Sequence, residues 1–429
     1  MEQGTGKTRT ALELIKPRIE QGKVDKVLWL CPCSVKENLK RDIIKHCGDL
    51  PKFIRIEGIE SLSASTRLNF ELLSLVNTCK VFLIVDESNL VKNHKAKRTQ
   101  RIQSLAEKSP YRLILNGTPI SKNEKDLFSQ WQILDWRILG YQSFWSFAAN
   151  HLEYDDYGKI RSTLNTDYLV RKIAPYTYQV KKSECLDLPP KTYSSCHVPL
   201  TGKQWRLYQE AKENFLMLVD ECDSSTIYRL FTALQHVVGG FYITSIPEAP
   251  LEFSPMFKPE ENPRIEALSN VVNGISEKVI IWCKYTQEIK DVACMLREEY
   301  GEDSVVEFYG GIKQKQRQEN INKFSNNARF FVANKTCAGY GLNLQFCSYA
   351  IYYSNDWDYA TRMQSEDRIH RIGQENNVHI IDLCSYGTID ERILKCLYKK
   401  EALVDRFKDN IDKQKDKNYL AKWIDGKGG

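Results

Sequence analysis

Two stretches of this chain alternate short apolar runs with amphipathic helical patterns. That repeated grammar constrains the fold more than any other feature. Within residues 26–115, "KVLWLC", "KVFLIVDE" and "YRLILNGT" read as buried strands, separated by stretches such as "SVKENLKRDIIKHC". From residue 278 the pattern returns, with "KVIIWC", "ARFFVAN", "YAIYYS" and "VHIIDL" as strands and "TQEIKDVACMLREEY" and "TIDERILKCLYKK" as helices. Continuous apolar strands that alternate with helices imply parallel sheets covered on both faces. The expected class is α/β, with a doubly wound sheet occurring twice. A chain of 429 residues is too long for one ordinary compact core, which agrees with two lobes.

The middle departs from this grammar. Residues 135–276 are rich in Tyr, Trp and Phe and mostly helical in pattern. "LDLPPKTY" is a rigid break and "SIPEAPLEFSPMFKPEENP" a proline-rich connector. From about residue 408 the chain is charged and lysine-rich, and a frayed, solvated tail is expected. The expected layout is a first lobe over 1–135, helical insertions and linker over 136–262, a second lobe over 263–407 and a charged tail over 408–429.

No apolar stretch approaches membrane-spanning length and no secretory signal precedes the first motif, so no membrane partner is expected. The 13 cysteines are scattered, and no two CxxC pairs frame a zinc site; reduced thiols in a cytosol-like compartment are expected. A formal net charge of +6 permits a nucleic-acid partner without requiring one.

"GTGKT" (Gly4, Thr5, Gly6, Lys7, Thr8) supplies the parts that hold a nucleoside triphosphate. Glycines let backbone N–H groups close on phosphate oxygens. Lys7 reaches the β- and γ-phosphates, and the Thr8 hydroxyl can ligate Mg²⁺. The next segment, "TRTALELIKPRIE", would add a helix N-terminus, although Pro17 is expected to bend or interrupt it. The full GxxxxGK[ST] pattern needs glycine at position 1, where Met1 stands. Alone, the short motif also fits a glycine-rich turn before a helix. "VFLIVDES" then ends an apolar strand in two carboxylates, where a parallel sheet delivers residues to a phosphate crevice. Asp86 would hold Mg²⁺ through water and Glu87 would polarise the attacking water. A surface acidic pair is the plainer alternative. "YRLILNGTPI" ends in Asn116, Gly117, Thr118 and Pro119, a polar turn that could sense the nucleotide or be a simple β-turn.

In this order, "GTGKT", "DES" and "LNGTPI" resemble motifs I, II and III of superfamily 2 helicases. "LCPCSVKENLKRD" is similar to motif Ia of the SNF2 branch, "VIIWCKYT" to motif IV, "NKTCAGYGLNLQFCSYAIYYSNDWD" to motif V and its extension, and "MQSEDRIHRIGQENNVHIIDLCSYGTIDERI" to motif VI. The resemblance covers nearly the whole chain and implies two RecA-like P-loop lobes with a helical insertion region between them. It implies ATP and Mg²⁺ as cofactors, and tracking along double-stranded DNA, driven by lobe closure, without strand separation. It also implies that Arg368 and Arg371 are arginine fingers, groups worth roughly 10³–10⁵ in rate. Their spacing of three would put both on one face of a helix. Gln364 would orient this segment or touch nucleotide, and His370 would pack or hydrogen-bond. "AGYGLNL", with Gly341, would face both nucleotide and DNA backbone. Ser34, Lys92, Lys95 and Thr336 would contact DNA. The densest basic run, "VKNHKAKRTQR", is otherwise a solvated face. Trp357 would be either a wedge or a packing aromatic.

Asn89 stands where relatives usually carry histidine, so coupling of hydrolysis to the lobe interface is expected to differ. The compact size resembles phage or bacterial SNF2 proteins, which implies a bacterial or phage-infected cytoplasm, a monomer, and phage or host replication and recombination proteins as partners. The residues around Met1 read as internal to a motif. An internal methionine or a truncation is therefore expected, with a first sheet lacking a central strand and leaving unpaired edges. Three functions follow: a DNA-stimulated ATPase and translocase, a helicase-like clamp that binds DNA or a partner without turnover, and, more weakly, a P-loop kinase. The intact Lys7, Asp86, Glu87, Arg368 and Arg371 favour the first, and the absent upstream segment favours the second.

Overall fold

A computed structural model describes residues 1–2, 4–117, 124–154, 160–217, 224–244, 252–338, 342–399 and 417–427. The chain divides into two compact units, the first spanning Met1–Asp187 and the second built from Leu188 onward.

The first unit holds β1 (Lys26–Cys31), β2 (Ile54–Gly58), β3 (Val81–Asp86) and β4 (Tyr111–Leu115) in one parallel sheet of order β2-β1-β3-β4. The pleat sends alternate residues to opposite faces. Val27, Trp29, Phe82 and Ile84 pack with Ala11, Leu12 and Ile15 of the Lys7–Glu20 helix and with Leu39 and Ile43 of the Lys36–Cys47 helix. Leu28, Leu30, Leu83 and Val85 pack with Leu72 and Val76 of the Thr66–Thr78 helix and with Ile102 and Leu105 of the Lys97–Lys108 helix. This double covering is why the central strands β1 and β3 carry continuous apolar runs, whereas β2 alternates. The Lys7–Glu20 helix runs through Pro17 rather than breaking there. Proline removes one N–H bond, and the carbonyl it would have served belongs to exposed Glu13. Beyond the sheet, a hairpin of β5 (Leu152–Tyr154) and β6 (Ile160–Thr163) accompanies short helices around a cluster of Phe128, Trp131, Phe144 and Phe147.

The second unit contains β7 (Lys191–His197), the hairpin β8 (Phe241–Thr244) and β9 (Glu252–Pro255), then β10 (Val279–Cys283), β11 (Val305–Phe308), β12 (Phe330–Asn334), β13 (Tyr349–Tyr352) and β14 (Val378–Cys384). Six of these form a parallel sheet of order β11-β12-β10-β13-β14-β7. Strand β7 lies in the stretch expected to be linker. It is an edge strand with mostly exposed side chains, so it lacks the apolar run that marks the others. The charged end also differs from expectation. Residues Lys417–Ile424 form a helix that buries Leu420, Trp423 and Ile424 against Tyr208, Ile393 and Leu397. An i, i+3, i+4 apolar stripe among lysines is enough to seat a helix on a core. Among the described residues, no helix is long and apolar enough to cross a membrane.

Candidate nucleotide site

Gly4 and Gly6 adopt φ of 81° and 86°, the left-handed conformation that other residues avoid, and Gly6 opens the Lys7–Glu20 helix. No side chain caps that helix, so its first amide groups remain available to an anion. Lys7 Nζ is buried with no hydrogen-bond partner among the described residues.

Strand β3 delivers Asp86 and Glu87 to the C-terminal edge of the same sheet. The Glu87 amide donates to Asp86 Oδ1 at 3.0 Å. Asp86 is pushed up to about 7 by loss of water and by the Glu87 charge, against the pull of Lys7. Glu87 itself is in the left-handed region, φ 51° and ψ 55°, and its Oε2 is buried without a hydrogen-bond partner among the described residues. Asp86 pairs in register with Leu115, so Glu87 and Asn116 leave the sheet beside each other. Ser88 Oγ donates to Gln130 Oε1 at 2.6 Å, and Asn116 Nδ2 donates to both of those atoms at 3.2 Å. Thr118 and Pro119 lie outside the described residues.

The basic run after Glu87 is divided in its uses. Lys92 Nζ pairs with Asp126 at 3.5 Å. Arg98 donates to the Leu90 carbonyl, and Arg101 to the Leu62 and Ser65 carbonyls. Lys95 and Lys97 remain exposed, as does Ser34 beyond the end of β1.

In the second unit, Gln364 lies in the Tyr359–Glu366 helix, and Arg368 and Arg371 fall beyond its end. The shared helical face expected for the two arginines is therefore absent. Past Glu366 the Arg368 and Ile369 amides close tighter turns onto the Ser365 and Glu366 carbonyls, at 3.3 and 3.2 Å, which interrupts the regular α-helical ladder. Arg368 is buried, with Nε donating to the Gln364 carbonyl, while Arg371 is partly exposed. His370 Nε2 donates to the Pro189 carbonyl at 2.9 Å. Gly341 and the Thr336 side chain lie outside the described residues. Trp357 is partly buried against the helical cluster, with Tyr228 and Phe231 nearby and Lys284 Nζ 3.2 Å from its ring centroid.

Sequence reasoning missed a set of buried polar residues. Arg362 makes two bonds to Asp382, at 2.6 and 3.0 Å, and one each to Glu366 and Asn355. Glu366, whose burial alone would raise it, is held below the usual carboxylate range by Arg362 and Lys191. Lys335 is buried with Nζ on the Ser354 carbonyl, and loss of water pushes it down to about 8. Gln130 carries no distinct signal in "LFSQWQIL", where Ser129 and Gln132 are polar as well.

The SNF2-related domain matches residues 53–238 and the helicase conserved C-terminal domain matches residues 263–373. The uncharacterized ATP-dependent helicase YqhH of Bacillus subtilis is 25% identical over 96% of this chain and 76% of its own length. An uncharacterized ATP-dependent helicase of Mycoplasma pneumoniae is 25% identical over 76% of this chain, which spans only 30% of that protein. The Sulfolobus solfataricus SWI2/SNF2 ATPase core in complex with dsDNA aligns over 100% of this chain and 92% of that one, with 23% identity and a TM-score of 0.42. Carrying the SNF2-related and helicase C-terminal domains in succession, this chain belongs to the SNF2 family of superfamily 2 helicase-like proteins.

Proposed function

We propose that this chain is an ATP-hydrolysing DNA translocase. One observation carries the reading: Lys7 Nζ and Glu87 Oε2, opposite charges beside an uncapped helix N-terminus, are buried and have no hydrogen-bond partner among the described residues. Buried charged groups without partners are costly, so such an arrangement is kept where a ligand completes it. A triphosphate supplies oxygens for Lys7 and for the amides of Gly4, Thr5, Gly6 and Thr8, and Glu87 orients and polarises a water.

Asp86 fits a cation as well, since among the described residues its carboxylate has no salt bridge and is held partly out of water. Thr8 and Asp86 would hold Mg²⁺, which when bound neutralises charge on the β- and γ-phosphate oxygens. Arg368 and Arg371 would neutralise charge developing on the transferred phosphoryl group, with Gln364 and Gly341 contributing to nucleotide contact. Double-stranded DNA is the proposed track. Ser34, Lys95 and Thr336 are the proposed backbone contacts, because their chemistry suits sequence-independent phosphate binding. Lys92 would serve DNA after leaving Asp126, and Trp357 would support a contact surface from its packed position.

The test is ATP turnover with and without duplex DNA, with Lys7→Ala and Arg371→Ala as controls. DNA-stimulated turnover that both controls lose is expected, and triplex displacement then reads translocation. Absent or DNA-independent turnover rejects the translocase, and DNA binding without turnover leaves the clamp.

A further inference from the structure

We infer that Gln130 is a positioning residue for ATP hydrolysis: it fixes the backbone that carries Glu87 and ties that loop to Asn116. The inference rests on the ATPase reading above. Glu87 is one of two described non-glycine residues with positive φ. A left-handed non-glycine residue is strained and persists only where its surroundings over-determine it. The next residue, Ser88, is fully buried and bonded to Gln130 Oε1, which is fully buried too. On the other side, the Leu90 amide closes a turn onto the Glu87 carbonyl at 3.0 Å. The peptide following Glu87 is thus held by its neighbour's side chain and by its own carbonyl.

The orientation of Gln130 is set from its own helix. Its Nε2 donates to the Asp126 carbonyl one turn earlier, at 2.7 Å, so its oxygen must face the loops. That oxygen has two lone pairs, and Ser88 Oγ and Asn116 Nδ2 use both. The helix beneath is anchored by Leu127, Phe128 and Trp131 in one cluster and Ile133 in another, so the acceptor stands on a rigid base. The two fully buried polar side chains, Ser88 and Gln130, and the partly buried Asn116 are not needed for packing, since apolar residues of the same shape fold as well. What they add is a fixed distance between the loop after β3 and the loop after β4. Displacement of Glu87 on nucleotide binding or release must move Ser88, and Asn116 shares its acceptor.

The test compares kcat and nucleotide Kd for wild type, Lys7→Ala, Gln130→Leu, Gln130→Glu, Ser88→Ala and the Ser88→Ala, Gln130→Leu double variant. Gln130→Leu is expected to lower kcat by about ten- to a hundredfold with Kd within about threefold, since hydrolysis geometry and binding are separate losses. Gln130→Glu keeps the accepting oxygen and should recover several-fold over Gln130→Leu. Because Ser88 and Gln130 act as one device, the double variant should be within about twofold of Gln130→Leu. A Gln130→Leu kcat near wild type, or a double variant whose loss is the product of the singles, overturns the inference and leaves the ATPase reading standing. Wild type no faster than Lys7→Ala removes both. If Gln130→Leu does not fold, Ser88→Ala, which deletes a single oxygen, decides: a kcat equal to wild type overturns the inference, and a severalfold loss at unchanged Kd supports it.

Discussion

The two parallel sheets manage buried charge in opposite ways. At the C-terminal edge of the first, Lys7 Nζ and Glu87 Oε2 are enclosed without hydrogen-bond partners among the described residues, and Asp86 is pushed up to about 7. On the second, Arg362 is bracketed by Asp382, Glu366 and Asn355, and Lys191 and Tyr193 close on the remaining Glu366 oxygen. Removing a charge from water is expensive unless something replaces the water. In the second sheet the protein itself replaces it, which makes a frame. In the first no such partner stands among the described residues, which is the arrangement the proposed nucleotide site calls for. Under the proposed function, unsatisfied charge marks the residues that would act on a ligand and saturated charge the residues that hold others in place.

The largest expected effect comes from the unsatisfied side. Glu87→Gln should lower kcat by roughly 10²–10⁴. Its thermal midpoint should stay level or rise, because a buried charge without a partner is removed. A large drop in the midpoint would mean that Glu87 is structural, and the contrast would fail. Arg362→Ala should do the reverse. Stripping one partner from a buried ion network is expected to cost about 3–5 kcal/mol in denaturant unfolding, and Arg362→Met less. A cost below about 1 kcal/mol would show that the network is not a frame.

Lys335 sharpens the comparison through pH. Its folded pKa is lowered to about 8 by burial, so between about 8 and the ordinary lysine value near 10.5 the unfolded chain holds a proton that the folded chain does not. Stability conferred by this group therefore rises with pH across that window and is flat below it. The midpoint of wild type minus that of Lys335→Met should increase from pH 8 to pH 10, read by thermal melts in matched buffers. A constant difference would place Lys335 in water. The smallest effect is expected on DNA. Lys95→Ala should reduce the salt slope of duplex binding by about 1, whereas Lys97→Glu should reduce it further through charge reversal. An unchanged slope in both would remove the basic run from the DNA contact.

Much of this was legible before the fold. The apolar runs of β1, β3, β10 and β12 read as strands because both of their faces are covered. Asp86 and Glu87 were found because a strand's end is marked by where its apolar run stops. Strand β7 was not legible, since an edge strand exposes its side chains and carries no such run. The helix expected to carry Arg368 and Arg371 was read from spacing alone. Spacing could not anticipate that the Arg368 and Ile369 amides turn more tightly, onto the Ser365 and Glu366 carbonyls. The lysine-rich end hid a three-residue stripe, Leu420, Trp423 and Ile424, too short to outweigh its charge in a composition reading.

Sequence by itself determined the α/β class, the doubling of the sheet, the glycine loop with Lys7 and the carboxylates at the end of β3. These follow from periodicity and from strand ends, which are properties of neighbouring residues. Only the tertiary structure decided that Glu87 stands in a left-handed conformation, that Gln130 joins the two loops, that Arg362 is a saturated network and that Trp357 is packed under Lys284. Each depends on partners far away in the chain, such as Ser88 and Gln130, 42 positions apart. Hydrogen bonding and desolvation act on distance in space, and no local pattern encodes that distance.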